Sequence, residues 1–141
     1  MNHAKVEKLL LAILSGFMLT ASFPPSPFYF LAWFALIPLL KSLEKETPLR
    51  SLRLGFAAGL AHTLTLIYWV IIVMGYYGHL PLPVSVSILI LFSLYLSVYP
   101  ALFAGGYSFL GRSFLGSFKA AGLWVALEYM RANILTGFPW C

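Results

Sequence analysis

The chain has 141 residues, 61% of them hydrophobic and 9% charged, where a soluble domain carries about 45–50% and about 25%. Its mean hydropathy is +0.90. This balance excludes an ordinary soluble domain and also a disordered tail, which needs low hydrophobicity and high net charge. One cysteine cannot form an internal disulfide. The net charge of +5 comes from nine Lys and Arg set in small groups between apolar runs, a pattern that argues against a nucleic-acid partner. What remains is an all-α, polytopic transmembrane helix bundle of about five segments, with basic residues marking its loops.

A bilayer core of about 30 Å takes roughly 20 apolar residues of helix. The first apolar run, Leu9 to Leu40, is interrupted by Phe23-Pro24-Pro25-Ser26-Pro27. Prolines remove backbone donors and disfavour a continuous helix. Two short segments are expected, 9–23 and 27–43, joined by a tight Pro-rich turn; the rival is one long, bent span. Lys5 and Lys8 precede the run, and Lys41, Lys45, Arg50 and Arg53 follow it. Two segments place both groups on one side of a membrane, as the positive-inside rule requires, whereas one span separates them. Both segments are short enough to be tilted, re-entrant elements covered by neighbours.

The third segment is expected over 54–76, opening on a Gly55/Gly59 step that lets another helix approach closely. It carries Tyr68-Trp69 and ends in a loop, Gly75 to Pro83, without Lys or Arg, which suits the outer side. The fourth, over 84–110, is longer than a bilayer needs, so tilt or a kink is expected, with Pro100 the kink site. Ser93/Ser97 and Tyr95/Tyr99 stand at i,i+4 and offer polar edges to neighbouring helices. The fifth, over 120–135, contains Glu128 and Arg131. With an inner N-terminus, every basic residue except Arg131 falls on the inner side. Leu9–Phe23 resembles the apolar part of a signal peptide, but prolines and further spans follow, so it reads as an anchor helix.

Few residues could carry chemistry. Glu128 and Arg131 lie on one helical face and can partly neutralise each other, which matters because an isolated charge at mid-bilayer costs about 2.5–3.5 kcal/mol on insertion scales. Two readings stay open: Arg131 contacts an anionic headgroup or substrate with Glu128 orienting it, or the pair is structural and snorkels to the outer interface. His62, beside Thr63 and Thr65, reads as a hydrogen-bonded packing residue. Three scattered histidines, no aspartate and one cysteine make neither a metal site nor a Ser/His/Asp set, and no cofactor is expected. Cys141 has no base or orienting group following it, as a cysteine nucleophile would need.

Several stretches together are more specific: Phe23-Pro24-Pro25 with Phe30-Leu31-Ala32-Trp33-Phe34-Ala35-Leu36-Ile37-Pro38-Leu39-Leu40; Tyr68-Trp69 followed by Tyr77-Gly78-His79-Leu80-Pro81; Tyr95 to Phe103; and Trp124 with Leu127-Glu128-Tyr129-Met130-Arg131 and Leu135-Thr136-Gly137-Phe138-Pro139-Trp140. In this order and spacing they resemble the N-terminal membrane region of bacterial apolipoprotein N-acyltransferase, over nearly the whole chain. The resemblance implies an inner-membrane, multi-pass protein with a cytoplasmic N-terminus. It further implies a ping-pong reaction that takes an acyl chain from a membrane phospholipid, through a cysteine thioester, to the N-terminal diacylglyceryl-cysteine of a lipoprotein. The family's Glu-Lys-Cys triad belongs to a nitrilase-like (carbon-nitrogen hydrolase) domain that follows the membrane region. None of that triad maps onto this sequence, and Cys141 directly follows the Pro-Trp of the membrane motif. The chain is therefore expected to be a truncated N-terminal domain, inactive alone and completed by a nitrilase-like domain in a longer or separate chain.

Glu128, Arg131, Thr136, Gly137, Phe138, Pro139 and Trp140 are the candidate lipid-binding residues, at the outer end of the fifth segment. The alternatives are a non-catalytic assembly or regulatory membrane protein and, last, a transporter-like bundle motivated by the polar edges at Ser93/Ser97 and Tyr95/Tyr99. A transporter should show inverted repeats, and the sequence has no internal repeat.

Overall fold

The structure, a computed structural model, describes residues 3–110 and 114–134, and every regular element among them is helical. In chain order these are α1 (His3–Ala21), a 3₁₀ turn (Tyr29–Trp33), α2 (Ile37–Ser42), α3 (Pro48–Leu66), α4 (Trp69–Tyr76), α5 (Leu82–Tyr107) and α6 (Phe114–Asn133).

α1 stops at the prolines, and the chain doubles back along it. Ser15 Oγ donates to the Ala35 carbonyl at 2.5 Å. Lys8 Nζ reaches the Glu44 carbonyl and the Glu46 carboxylate, each at 2.6 Å. A continuous helix would hold Lys8 and Glu46 about 57 Å apart at 1.5 Å per residue, so the opening is a hairpin. Its second arm differs from the single segment expected over 27–43: it is a 3₁₀ turn followed by the six-residue α2. Pro38 sits in the first turn of α2, where its missing N–H is tolerated, but it cannot serve inside a helix begun earlier.

The third segment begins before its expected start and is broken. α3 and α4 meet at a 45° bend, with Ile67 at φ −101°, ψ 17°. No proline or glycine stands there. Thr63 and Thr65 instead turn their hydroxyls back on the Gly59 and Ala61 carbonyls, at 2.9 and 2.6 Å, and such back-bonding bends helices.

α5 runs through Pro100 without a break for 26 residues. The expected kink site serves as a packing surface: a methyl group added at Gly59 would lie 3.0 Å from Pro100 Cγ. At Gly55 an added methyl would lie 2.5 Å from both the Pro100 carbonyl oxygen and Ala104 Cβ. The Gly55/Gly59 step is therefore the seam between α3 and α5, which run antiparallel with Leu52 against Gly105 and Thr63 against Ser97. Ser15, Ser42, Ser51, Ser85, Ser93 and Ser97 are fully buried, the small-residue helix contacts typical of bundles without a water-driven core. α6 packs on α5 by Trp124 edge-on to Phe103, 4.9 Å between ring centroids. Its far face, including Phe118, Val125 and Tyr129, is exposed.

Among the described helices, α5 alone is long and apolar enough to cross a bilayer, and α3 with α4 qualifies if the bent pair counts as one span. α1 and α6 have 19 and 20 residues but are more polar.

Candidate functional site

Where α1 ends, five pieces of chain line a cavity of about 280 Å³. Phe23 closes it from the end of α1, Leu36 from the return arm, His62 from α3 and Pro100 from α5; α6 contributes Trp124, Glu128 and Arg131. The last three are spaced along α6 so that one face presents all of them.

Arg131 Nη2 donates to Glu128 Oε2 at 2.5 Å, the i,i+3 pair that the sequence suggested. The arginine side chain is 14% exposed and the glutamate 35%. A guanidinium carries five N–H donors. No other hydrogen bond from Arg131 is present among the described residues, so donors remain for an acceptor in the cavity. Planar, multi-donor geometry suits phosphate and carboxylate oxygens. Glu128 limits the cost of holding this charge away from water and fixes the fork's direction.

His62 is the residue that sequence reasoning left out of the site. It is hydrogen-bonded, as expected: Nδ1 lies 3.0 Å from Thr20 Oγ1, which in turn lies 2.7 Å from Thr65 Oγ1. The ring also meets Phe23, 5.7 Å between centroids. Yet it lines the same cavity as Arg131, and among the described residues Nε2 has no hydrogen-bond partner. Thr20 and Thr65 thus orient the ring while one nitrogen is left for a guest. Only the i,i+3 spacing of His62 and Thr65 was available as a signal, and Thr20 comes from another helix.

The remaining expected residues divide cleanly. Thr136, Gly137, Phe138, Pro139, Trp140 and also Cys141 lie outside the described residues. Three of the four polar side chains expected at the edges of α5 are taken up internally, the Ser93 hydroxyl being the exception: Tyr95 and Tyr99 bond each other, 2.8 Å between hydroxyls. Ser97 Oγ donates to the Ser93 carbonyl at 2.5 Å and lies 3.3 Å from Thr63 Oγ1. None of these four α5 residues lines the Arg131 cavity.

The structure is a helical bundle with a partly enclosed, largely apolar cavity at one end, into whose wall an ion pair is set. The profile described as "Apolipoprotein N-acyltransferase N-terminal domain" matches residues 15–141. The chain is 44% identical over 138 residues to the apolipoprotein N-acyltransferase of Geobacter metallireducens, covering 93% of this chain and 25% of that protein. It is 35% identical over 136 residues to the Ralstonia nicotianae enzyme (92% and 26%) and 30% over 143 residues to that of Vibrio parahaemolyticus (96% and 28%). The chain belongs to the apolipoprotein N-acyltransferase family and corresponds to its N-terminal domain. It spans about a quarter of the length of these curated relatives.

Proposed function

We propose that this chain is the membrane-embedded N-terminal domain of an enzyme that moves an acyl chain from phospholipid to the N-terminal diacylglyceryl-cysteine of lipoproteins. In this reading it lies in the bacterial inner membrane as a bundle of about five segments with the N-terminus cytoplasmic. Acyl transfer itself belongs to a nitrilase-like domain elsewhere in the full enzyme, and this chain alone does not acylate. The cavity walled by Arg131, Glu128 and His62 forms the floor of the lipid-entry site, with the Thr136–Trp140 turn beside it.

The observation that carries the proposal is the Arg131–Glu128 pair directed into a cavity with donors to spare, in a chain of this family. The layout supports it. Lys8, Glu46 and Arg50 gather where α1 begins, with Lys8 2.6 Å and Arg50 3.0 Å from the Glu46 carboxylate. The cavity lies at the other end of α1. Basic residues on the cytoplasmic side and a lipid headgroup site toward the outer side then follow from one orientation.

The test is Arg131→Ala in the full-length enzyme, scoring acyl transfer to a lipoprotein against protein abundance in the membrane. Transfer should fall by more than abundance. Equal losses would mark the pair as purely structural. Labelling of the 44–48 loop from outside intact cells would overturn the orientation, and the outward-facing site with it.

A further inference from the structure

A second recess adjoins the first. Between α2 and α6 runs a groove of about 350 Å³, walled mainly by apolar residues such as Leu40, Phe103, Ala121 and Val125, with Tyr107 and Ser117 also in its lining. Leu36 and Trp124 line both this groove and the Arg131 cavity, so the two share a wall. Hydrocarbon makes up most of both recesses; what differs is charge, since Arg131 and Glu128 line the first and, among the described residues, no charged side chain lines the second.

We infer that this groove holds one acyl chain of the phospholipid whose headgroup occupies the Arg131 cavity. The inference rests on the lipid-site reading above and adds where the tail lies. Two features favour an acyl chain as the occupant. First, the order of walls along α6, charged pair, Trp124, then Ala121, matches a headgroup followed by its tail. Second, Arg131 to Ala121 is about 15 Å of helix, half of a bilayer core of about 30 Å and so the depth of one leaflet.

Lipid tails are as apolar as the groove, so burial alone draws no tail in. The headgroup supplies the affinity and the groove sets the direction. Ala121 and Val125 face outward, Val125 at 65% exposure, so the groove can be filled without disturbing the packing between α5 and α6.

The experiment uses this chain in phosphatidylcholine–phosphatidylglycerol vesicles carrying a photoactivatable phosphatidylglycerol, in two versions. One bears the diazirine in the headgroup and the other in the tail, and adducts are mapped by peptide mass spectrometry. The headgroup probe should label the cavity walls around Phe23, His62 and Glu128. The tail probe should label Leu40, Ala121 and Val125 in excess over Leu91 and Val98, exposed residues of α5 outside the groove. Ala121→Trp should abolish the tail excess and leave the headgroup adducts in place. Arg131→Ala should abolish both.

Headgroup adducts in the cavity with tail adducts at the α5 background would sink the groove and spare the cavity. Absence of both excesses would sink the lipid-site reading itself. Tail adducts unchanged by Ala121→Trp, or cross-links from the groove to a second copy of the chain, would also overturn the inference.

Discussion

Gly55→Ala tests whether the seam between α3 and α5 holds the site together. The new Cβ would lie 2.5 Å from the Pro100 carbonyl oxygen and from Ala104 Cβ, and 3.0 Å from Ala101 Cα. Unstrained carbon contacts lie at about 3.5–4.0 Å, so the helices must part by about 1 Å along this line. The obstacle is mostly backbone, and no rotamer change relieves it. Overpacking of this kind costs about 1–3 kcal/mol, or roughly 5- to 150-fold in the folded-to-unfolded ratio. Because His62 lies two helical turns along α3 and Pro100 is itself the contact, the cavity should loosen with the seam. Gly122→Ala is the matched control, since an added Cβ there meets nothing within 4 Å. It should be neutral or stabilise by up to about 1 kcal/mol through helix propensity. Detergent-resistance or thermal unfolding of the purified chain in micelles reads both. Wild-type stability for Gly55→Ala, or equal damage from Gly122→Ala, would refute close packing at this seam.

Two further substitutions probe the polar contacts. Thr63→Val keeps the shape but removes a hydroxyl that bonds Gly59 O at 2.9 Å and lies 3.3 Å from Ser97 Oγ. The expected loss is about 0.6 kcal/mol, the average for such bonds between membrane helices, and a double-mutant cycle with Ser97→Ala should give a coupling no larger than that; a coupling several times greater would contradict it. Glu46→Gln removes the carboxylate that holds Lys8 and Arg50. Unfolding at low salt should show a loss of about 1 kcal/mol that shrinks as salt rises. A loss independent of salt would mean that Glu46 acts through packing.

Proline, glycine and charge were the legible part of this chain. The clustered prolines after Ala21 specify a reversal because they deny donors over several consecutive positions, and the charge pattern on either side chose the hairpin that Lys8 and Glu46 close. Gly55 and Gly59 announced a close approach, and the structure supplies the partner, α5. The Glu128–Arg131 pair was legible because both members share one helix, where spacing translates directly into distance. The break at Ile67 was not. It arises from threonine hydroxyls competing for backbone carbonyls, and that residue type occurs in straight helices too. The same limit applied to Pro100, whose ring fills the space over Gly59, a contact set by a residue 41 positions away.

Those threonines also bear on why the site lies where it does. Within the bundle most hydroxyls are turned inward on their own helices or immediate neighbours: Ser15 to Ala35, Ser42 to Leu39, Thr63 to Gly59, Thr65 to Ala61, Ser97 to Ser93. Side chains satisfied in this way have little left to offer a guest. Ser51 and Ser93 keep an unpartnered hydroxyl, but neither lines the Arg131 cavity or the adjoining groove. Among the described residues, Arg131 and His62 differ in having polar atoms without a hydrogen-bond partner and a cavity beside them. The His62 ring is held in this position by Thr20, on a helix 42 residues earlier in the chain. His62, hydrogen-bonded and buried as a packing residue should be, comes to line the cavity once the hairpin brings α1 beside α3, and the same hairpin brings Phe23 and Leu36 in as the cavity's apolar walls.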